Sequence, residues 1–262
     1  MIEEQKAVEM LADEWRNAGI TRGDVVLLHS NIGRTLRRIK KMGIKPSPSL
    51  ILDSFICAIG EEGTLLLPLF NFEFTQGVPF DLEATPSQMG AITEIGRKYK
   101  TAVRTGHPIY SFAILGNKVS LFEKIDNFSG YGADSPFAML LELNGKIAVL
   151  DLPDQNSMTF YHYVEEMLDV PYRYHKTFSG QYTDRNKNTE ERTYGLFVRD
   201  IEHKVNTHVN PMGDILWDKG LYSGEKPGIG SGLRVVKAVD VYNETSQVIK
   251  EGKAEGTLYE VR

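Results

Sequence analysis

The chain has 262 residues, of which 41% are hydrophobic and 25% charged, enough apolar material to bury a substantial core. A net charge of −5 argues against general nucleic-acid binding, no apolar run is long enough to span a bilayer, and one cysteine, Cys57, excludes an internal disulfide. The first residues, Met1-Ile2-Glu3-Glu4-Gln5, lack the basic and apolar regions of a signal peptide, so a cytoplasmic protein is expected.

In chain order, Glu4 to Asn17 reads as an amphipathic helix with Val8, Leu11 and Trp15 on one face, ended by Gly19. Asp24–Ser30 is a short buried strand running into Asn31-Ile32-Gly33, and a basic run follows: Arg34, Arg37, Arg38, Lys40, Lys41 and Lys45. A helix from Ser49 to Ile59 packs through Leu50, Ile51, Phe55 and Ile59, which places Cys57 in the core. Gly63–Pro68 is the next buried strand, closed by its proline. An aromatic loop spans Asn71 to Pro86, and Ser87 caps a helix from Gln88 to about Tyr99. Thr101–Arg104 and Tyr110–Leu115 are strands on either side of Gly106-His107-Pro108, where a rigid turn holds a structural histidine. Ser135-Pro136 opens a helix that ends at Gly145.

Lys146–Leu150 is a buried strand, and Pro153–Ser157 a polar turn. From Thr159 the spacing is helical, with Ser157 or Thr159 as the cap. Thr159, His162 and Glu165 are three apart and share a face, so the imidazole can meet Glu165 or, one residue on, Glu166. A carboxylate on one ring nitrogen fixes the tautomer and frees the other nitrogen to take a proton. On spacing alone, a helical histidine beside two glutamates reads first as a solvated face. Beyond it, Tyr172–Thr183 and Arg192–Val198 form a hairpin, Asn210-Pro211 starts a short helix, Ala238–Lys250 is another, and Gly256–Val261 is a terminal strand. No repeat or linker divides the chain, so residues 1–262 read as one domain. Short buried strands alternating with helices predict an α/β fold with a central mixed sheet flanked by helices, and the hairpin adds an antiparallel section.

The run Ser157–Glu165 resembles the T-x-x-H-x-x-E signature of the aminoglycoside 3-N-acetyltransferase family. Five further stretches resemble that family in order: Val26–Asn31, Gly63–Pro68, Thr85–Gly90, His107–Phe112 and Tyr131–Pro136, closed by Val170-Pro171-Tyr172-Arg173. The last third matches only loosely. The resemblance implies an acyl-CoA-dependent N-acyltransferase acting on an amino sugar, with coenzyme A as acyl donor and no metal. His162 is the implied base, Glu165 its orienting carboxylate, and Thr159 lies near the oxyanion or the leaving sulfur. The strand-end loop His29, Ser30, Asn31, Ile32 and Gly33 would hold coenzyme A with Arg34 and Ser111, its backbone amides near Ser30–Ile32 facing the oxyanion. With no activated Ser or Cys nucleophile in view, direct transfer in a ternary complex is expected.

For the acceptor, Arg37 and Arg38 suit a pyrophosphate, and Phe70 and Phe72 a base or sugar face. That combination favours a nucleotide-linked amino sugar for surface polysaccharides; an aminoglycoside, with its positive charge, is the alternative. A coenzyme A-binding protein without turnover is the non-enzymatic reading, which an oriented base argues against. A homo-oligomer is compatible with all three.

Overall fold

The computed structural model describes residues 2–262. Helix α1 (Ile2–Asn17) lies along α3 (Pro48–Ile59), where Trp15 stacks on Phe55 with ring centroids 4.8 Å apart and its Nε1 donates to Ser54 Oγ at 2.7 Å. Between them come β1 (Val25–Ser30) and α2 (Gly33–Lys41). The basic run is thus a helix, with only Thr35 and Ile39 buried, so its hydrophobic stripe is too thin to declare itself in sequence. Then follow β2 (Thr64–Pro68), β3 (Phe80–Asp81), α4 (Ala91–Arg97), β4 (Val103–Arg104) and β5 (Phe112–Gly116). Next are α5 (Val119–Phe122), α6 (Pro136–Glu142), β6 (Lys146–Leu150), α7 (Phe160–Met167) and the hairpin β7 (Arg173–Thr183) with β8 (Thr189–Arg199). The last part holds β9 (Val205–Thr207), α8 (Asn210–Asp218), β10 (Ser223–Gly224), β11 (Leu233–Lys237), α9 (Ala238–Lys250) and β12 (Tyr259–Val261).

The central sheet has the order β10-β11-β6-β1-β2-β5-β4. Its middle strands β6, β1 and β2 are parallel, and antiparallel strands flank them on both sides. The expected mixed α/β sheet is therefore present, and the hairpin joins β3 in a second sheet of its own. The sequence reading passed over β11, a five-residue run behind a glycine-rich loop.

Two cores fill the two faces of the central sheet. Leu28, Ala148 and Leu150 face α1, α3 and α4, together with Trp15 and Phe55. Leu27, Ile147 and Val149 face the other way, against Phe160 and Val164 of α7 and residues of α6, α8 and α9. After β1 the chain leaves through α2 on the first face and continues to β2; after β6 it leaves through α7 on the second. The connections from β1 and β6 thus leave on opposite faces, which makes the carboxyl ends of these two strands the topological switch point, the usual ligand position in such sheets. Asn31 N donates to Leu150 O at 2.8 Å and ties the two strand ends together. Among the described residues, no helix is long and apolar enough to cross a membrane.

Candidate active site

The chain leaves β6 through Asp151, whose φ is +51°, and a 3-10 turn at Asp154–Asn156 before entering α7. Neither expected side-chain cap forms: Thr159 occupies the N-cap with helical backbone and no capping bond, while Ser157 Oγ donates to Pro153 O at 2.8 Å. The helix start is instead fixed by burial of Phe160, Tyr161 and Val164 and by Asp154. Asp154 Oδ2 accepts from Tyr161 Oη at 2.7 Å and Tyr222 Oη at 2.8 Å, and its Oδ1 from Arg234 Nη2 at 2.7 Å. Sequence reasoning missed this network because its members come from four separate segments.

On the next turn, His162 Nδ1 lies 2.7 Å from Glu165 Oε2, so Glu165 is the carboxylate that meets the imidazole. Glu166 turns away and accepts from Ser129 Oγ at 2.8 Å. Glu165 is fully buried while the His162 side chain keeps 17% of its surface exposed, so the ring spans from the interior to the surface. Arg173, at the start of β7, completes the group: its Nε is 2.7 Å from Glu165 Oε2 and its Nη2 2.8 Å from His162 Nδ1. Burial first, and then the Arg173 charge, lower the His162 pKa below the ordinary histidine value, against the opposing pull of Glu165. Burial alone would raise Glu165; the Arg173 charge and the His162 hydrogen bond outweigh it and hold the carboxyl below its usual range. A neutral imidazole beside an ionised carboxylate is the state a general base needs.

A file of aromatic rings connects His162 to the end of β1. The Tyr131 ring is 5.5 Å from His162, Tyr110 4.7 Å from Tyr131, Phe70 4.5 Å from Tyr110, and His29 6.5 Å from Phe70. Phe72 meets Tyr110 edge-on at 5.7 Å and is 39% exposed, so it is the exposed ring of this wall, whereas Phe70 is core. His29 is buried and points to the α7 face; burial and the Arg234 charge depress its pKa to about 3, so it stays neutral.

Several expected binding residues are occupied elsewhere. Arg34 Nε pairs with Asp151 at 2.9 Å, and its other nitrogens donate to Gly230 O and Ile229 O, so this fork is spent on the chain itself. Gly232, at φ +76°, lies so close to Asp151 and Arg34 that any side chain there would break the pair. Arg38 pairs with Glu14 at 2.5 Å; Arg37 is exposed. Ser111 is fully buried and accepts from Arg104 Nε at 3.0 Å, which makes it a structural hydroxyl instead of a channel lining. Of the Ser30–Ile32 amides expected near an oxyanion, Asn31 N is committed to Leu150 O, and the adjoining Gly33 N goes to Asn31 Oδ1 at 3.1 Å. His107 is structural, its Nδ1 accepting from Ile109 N at 3.2 Å and Tyr110 N at 3.0 Å. Cys57 is half-buried, not core, with Arg16 Nη2 3.7 Å from its Sγ.

The family model described as aminoglycoside 3-N-acetyltransferase matches residues 29–250, most of the chain. The chain belongs to this aminoglycoside 3-N-acetyltransferase family. Its relatives include aminoglycoside N(3)-acetyltransferase VII of Streptomyces paromomycinus, 24% identical over 185 residues, which covers 62% of this chain and 60% of that protein. Aminoglycoside N(3)-acetyltransferase III of Pseudomonas aeruginosa is 21% identical over 62% of this chain and 65% of its own length. The matched stretch thus spans about three-fifths of these curated family members. Among solved structures, AAC-IIIb in a binary complex with CoASH superposes with a TM-score of 0.78 at 21% identity, covering 92% of this chain and 95% of that one. Sisomicin-bound AAC-VIa gives 0.74 at 22% identity, covering 95% and 98%. The family fold therefore extends over nearly the whole chain, including the last third where sequence motifs fade.

Proposed function

We propose that residues 1–262 form one catalytic domain that transfers an acetyl group from acetyl-CoA to the 3-amino group of an aminoglycoside. The observation that carries this reading is the His162–Glu165 pair on the first turns of α7, with Glu165 buried and 17% of the His162 side chain exposed. With Nδ1–H donating to Glu165, the Nε2 lone pair takes the proton that the acceptor amine must lose. The nitrogen–carbon bond forms as the carbon–sulfur bond breaks, and the proton passes from His162 to the departing thiolate. Base catalysis of this kind contributes typically ~10²–10⁴-fold. Coenzyme A supplies the thioester. The residues available to hold it are Ser30 to Gly33 at the β1 end and the α2 N-terminus, which favours anionic groups. A cavity of about 590 Å³, bordered by Arg38, Gly230 and Ser231, lies beside that helix.

An aminoglycoside replaces the nucleotide-linked sugar as the favoured acceptor for two reasons. The basic residues that suggested a diphosphate are largely used internally, Arg34 by Asp151 and Arg38 by Glu14. The curated relatives are named for aminoglycosides, and solved relatives are described with sisomicin and apramycin. Carboxylates near α7, Glu166 and Asp134, suit a polycation, whose charge would offset the burial and the Asp134 repulsion that raise Glu166 against the opposing Ser129 bond. The test is thiol release from acetyl-CoA with sisomicin, apramycin and a uridine-diphosphate amino sugar as acceptors. Acetylation of an aminoglycoside on its 3-amino group is expected. Activity confined to the nucleotide sugar would restore that acceptor, and no turnover with any amine would leave a coenzyme A-binding protein.

A further inference from the structure

Glu165 Oε2 is hydrogen-bonded to His162 Nδ1 at 2.7 Å and lies 2.7 Å from Arg173 Nε, which is ion-paired with it without an aligned hydrogen bond. His162 Nδ1 is likewise faced by two groups, that oxygen and Arg173 Nη2 at 2.8 Å. A ring nitrogen offers one position in its plane. Either Nδ1 carries a proton and donates to Glu165, leaving Nε2 free as a base, or Nδ1 accepts from Arg173 and Nε2 keeps the proton. An imidazolium carries protons on both nitrogens and cannot accept from the guanidinium at all. Arg173 is itself anchored from below, its Nη1 donating to Phe197 O on β8 at 3.0 Å, and its side chain is only 6% exposed. It cannot swing into solvent to make room.

We propose that Arg173 is a positioning residue that sets the proton affinity and tautomer balance of His162 through its charge beside Glu165 and its Nη2 donor at Nδ1. The assignment rests on the reading of His162 as base, since otherwise its proton affinity would have no consequence for turnover. Other groups face the ring, and they do not duplicate this role. From α7 there is Glu165; from the segment before α6 there is Tyr131, whose hydroxyl exchanges a hydrogen bond with Tyr110; from β8 there is Arg199, exposed and 3.3 Å from Asn206 Oδ1. Glu166 is tied to Ser129, and Tyr172 adjoins Glu165. Among the described residues, Arg173 alone is within hydrogen-bond distance of both members of the pair.

The effect of Arg173 has a definite sign. A fixed positive charge beside the ring, and a carboxylate half claimed by that charge, both disfavour the imidazolium. The histidine is then kept unprotonated and ready to accept at neutral pH, at the cost of some basicity. Removing the guanidinium releases Glu165 to Nδ1–H, so the ring binds its proton more tightly and the Nδ1–H tautomer gains.

The experiment uses the full chain labelled with ¹⁵N-histidine, followed by NMR from pH 4 to 9, with His162→Asn to assign the resonance among the six histidines. In Arg173→Gln, the His162 titration should move up by about one pH unit, a typical displacement for loss of one close charge. The neutral ring should shift toward Nδ1–H. In Arg173→Lys, which keeps a charge but loses the fork, the tautomer should shift the same way and the midpoint should move less. Should Arg173→Gln fail to fold, the lysine variant decides. An unchanged midpoint and tautomer ratio in a folded variant would overturn the proposal. The readout needs no substrate: shifted ring signals without acetyl transfer to any aminoglycoside would sink the proposed reaction and leave the Arg173 assignment standing.

Discussion

Two buried carboxylate–arginine centres flank α7, and they are built to opposite ends. Around Asp154, Tyr161, Tyr222 and Arg234 supply every donor that the carboxylate needs, and Arg234 also donates to Leu152 O at 2.5 Å. Neither tyrosine of that group exchanges a proton near neutral pH, since burial pushes both further up. Around Glu165 the partners are a histidine and an arginine, the histidine is partly exposed, and carboxylate Oε1 has no hydrogen-bond partner. A carboxylate with both oxygens bonded holds the chain in place, whereas an incompletely bonded one beside a titratable ring can follow a change of protonation. Position along the helix does not separate them, since Tyr161 and His162 are neighbours; the completeness of the hydrogen bonding does.

If the two centres divide labour in this way, substitutions should separate activity from stability. The largest effect belongs to His162→Ala: a loss of ~10²–10⁴-fold in acetyl transfer with an unchanged melting temperature. Turnover within tenfold of the parent would remove His162 as base. Glu165→Gln should cost less than that, and Glu166→Gln, whose carboxylate bonds Ser129, less again.

Asp154→Ala should act in the opposite sense. Stranding Arg234 in the interior should cost about 3–5 kcal/mol, read as a drop in the denaturant midpoint. A variant that is stable but inactive would move Asp154 into the catalytic group and erase the contrast.

The histidines sharpen it further. Burial depresses His107 to about 4 and His29 to about 3, below the value of about 6.5 they regain on unfolding. The unfolded chain therefore binds protons first as pH falls, and stability present above pH 6.5 is lost progressively below it. Between pH 7 and pH 5 each ring should cost about 2 kcal/mol, seen in urea midpoints. Activity per folded molecule should hold to lower pH than an ordinary histidine would allow, because His162 is also lowered. An acid limb above pH 7 would contradict that.

The smallest effect is expected for Cys57→Ser, within about 0.5 kcal/mol in stability and without change in turnover, because the thiol is half-buried and far from α7 in the fold. An acyl group trapped on Cys57 by mass spectrometry would refute direct transfer.

How far sequence carried the reading depended on how local each feature was. The β6 strand, α7 and the His162–Glu165 pair are written within twenty-two residues, and helical spacing alone chose between Glu165 and Glu166 no further than naming both. Arg173 stood in a quoted motif without a role, because its contact with His162 exists only once β7 folds back beside α7. Arg34 and Arg38 looked available for phosphate because Asp151 and Glu14, their partners, lie 117 and 24 residues away. Cys57 sat among apolar neighbours and was read as core, yet α3 turns it to the rim of a pocket lined by Ile56, Tyr99 and Leu115. Composition reports the company a residue keeps along the chain, and only packing reports its company in space.

Helix α7 spans just eight residues, Phe160–Met167, without a side-chain cap. A peptide of that length does not hold a helix in water, because the cost of its first turn is never recovered. The signature T-x-x-H-x-x-E is therefore not portable. Copied onto a designed scaffold, it would deliver the three side chains without the tyrosine anchor beneath them or the guanidinium across from them. An engineer wanting this chemistry elsewhere would have to transplant the strand end, the turn and the root of the hairpin as one block.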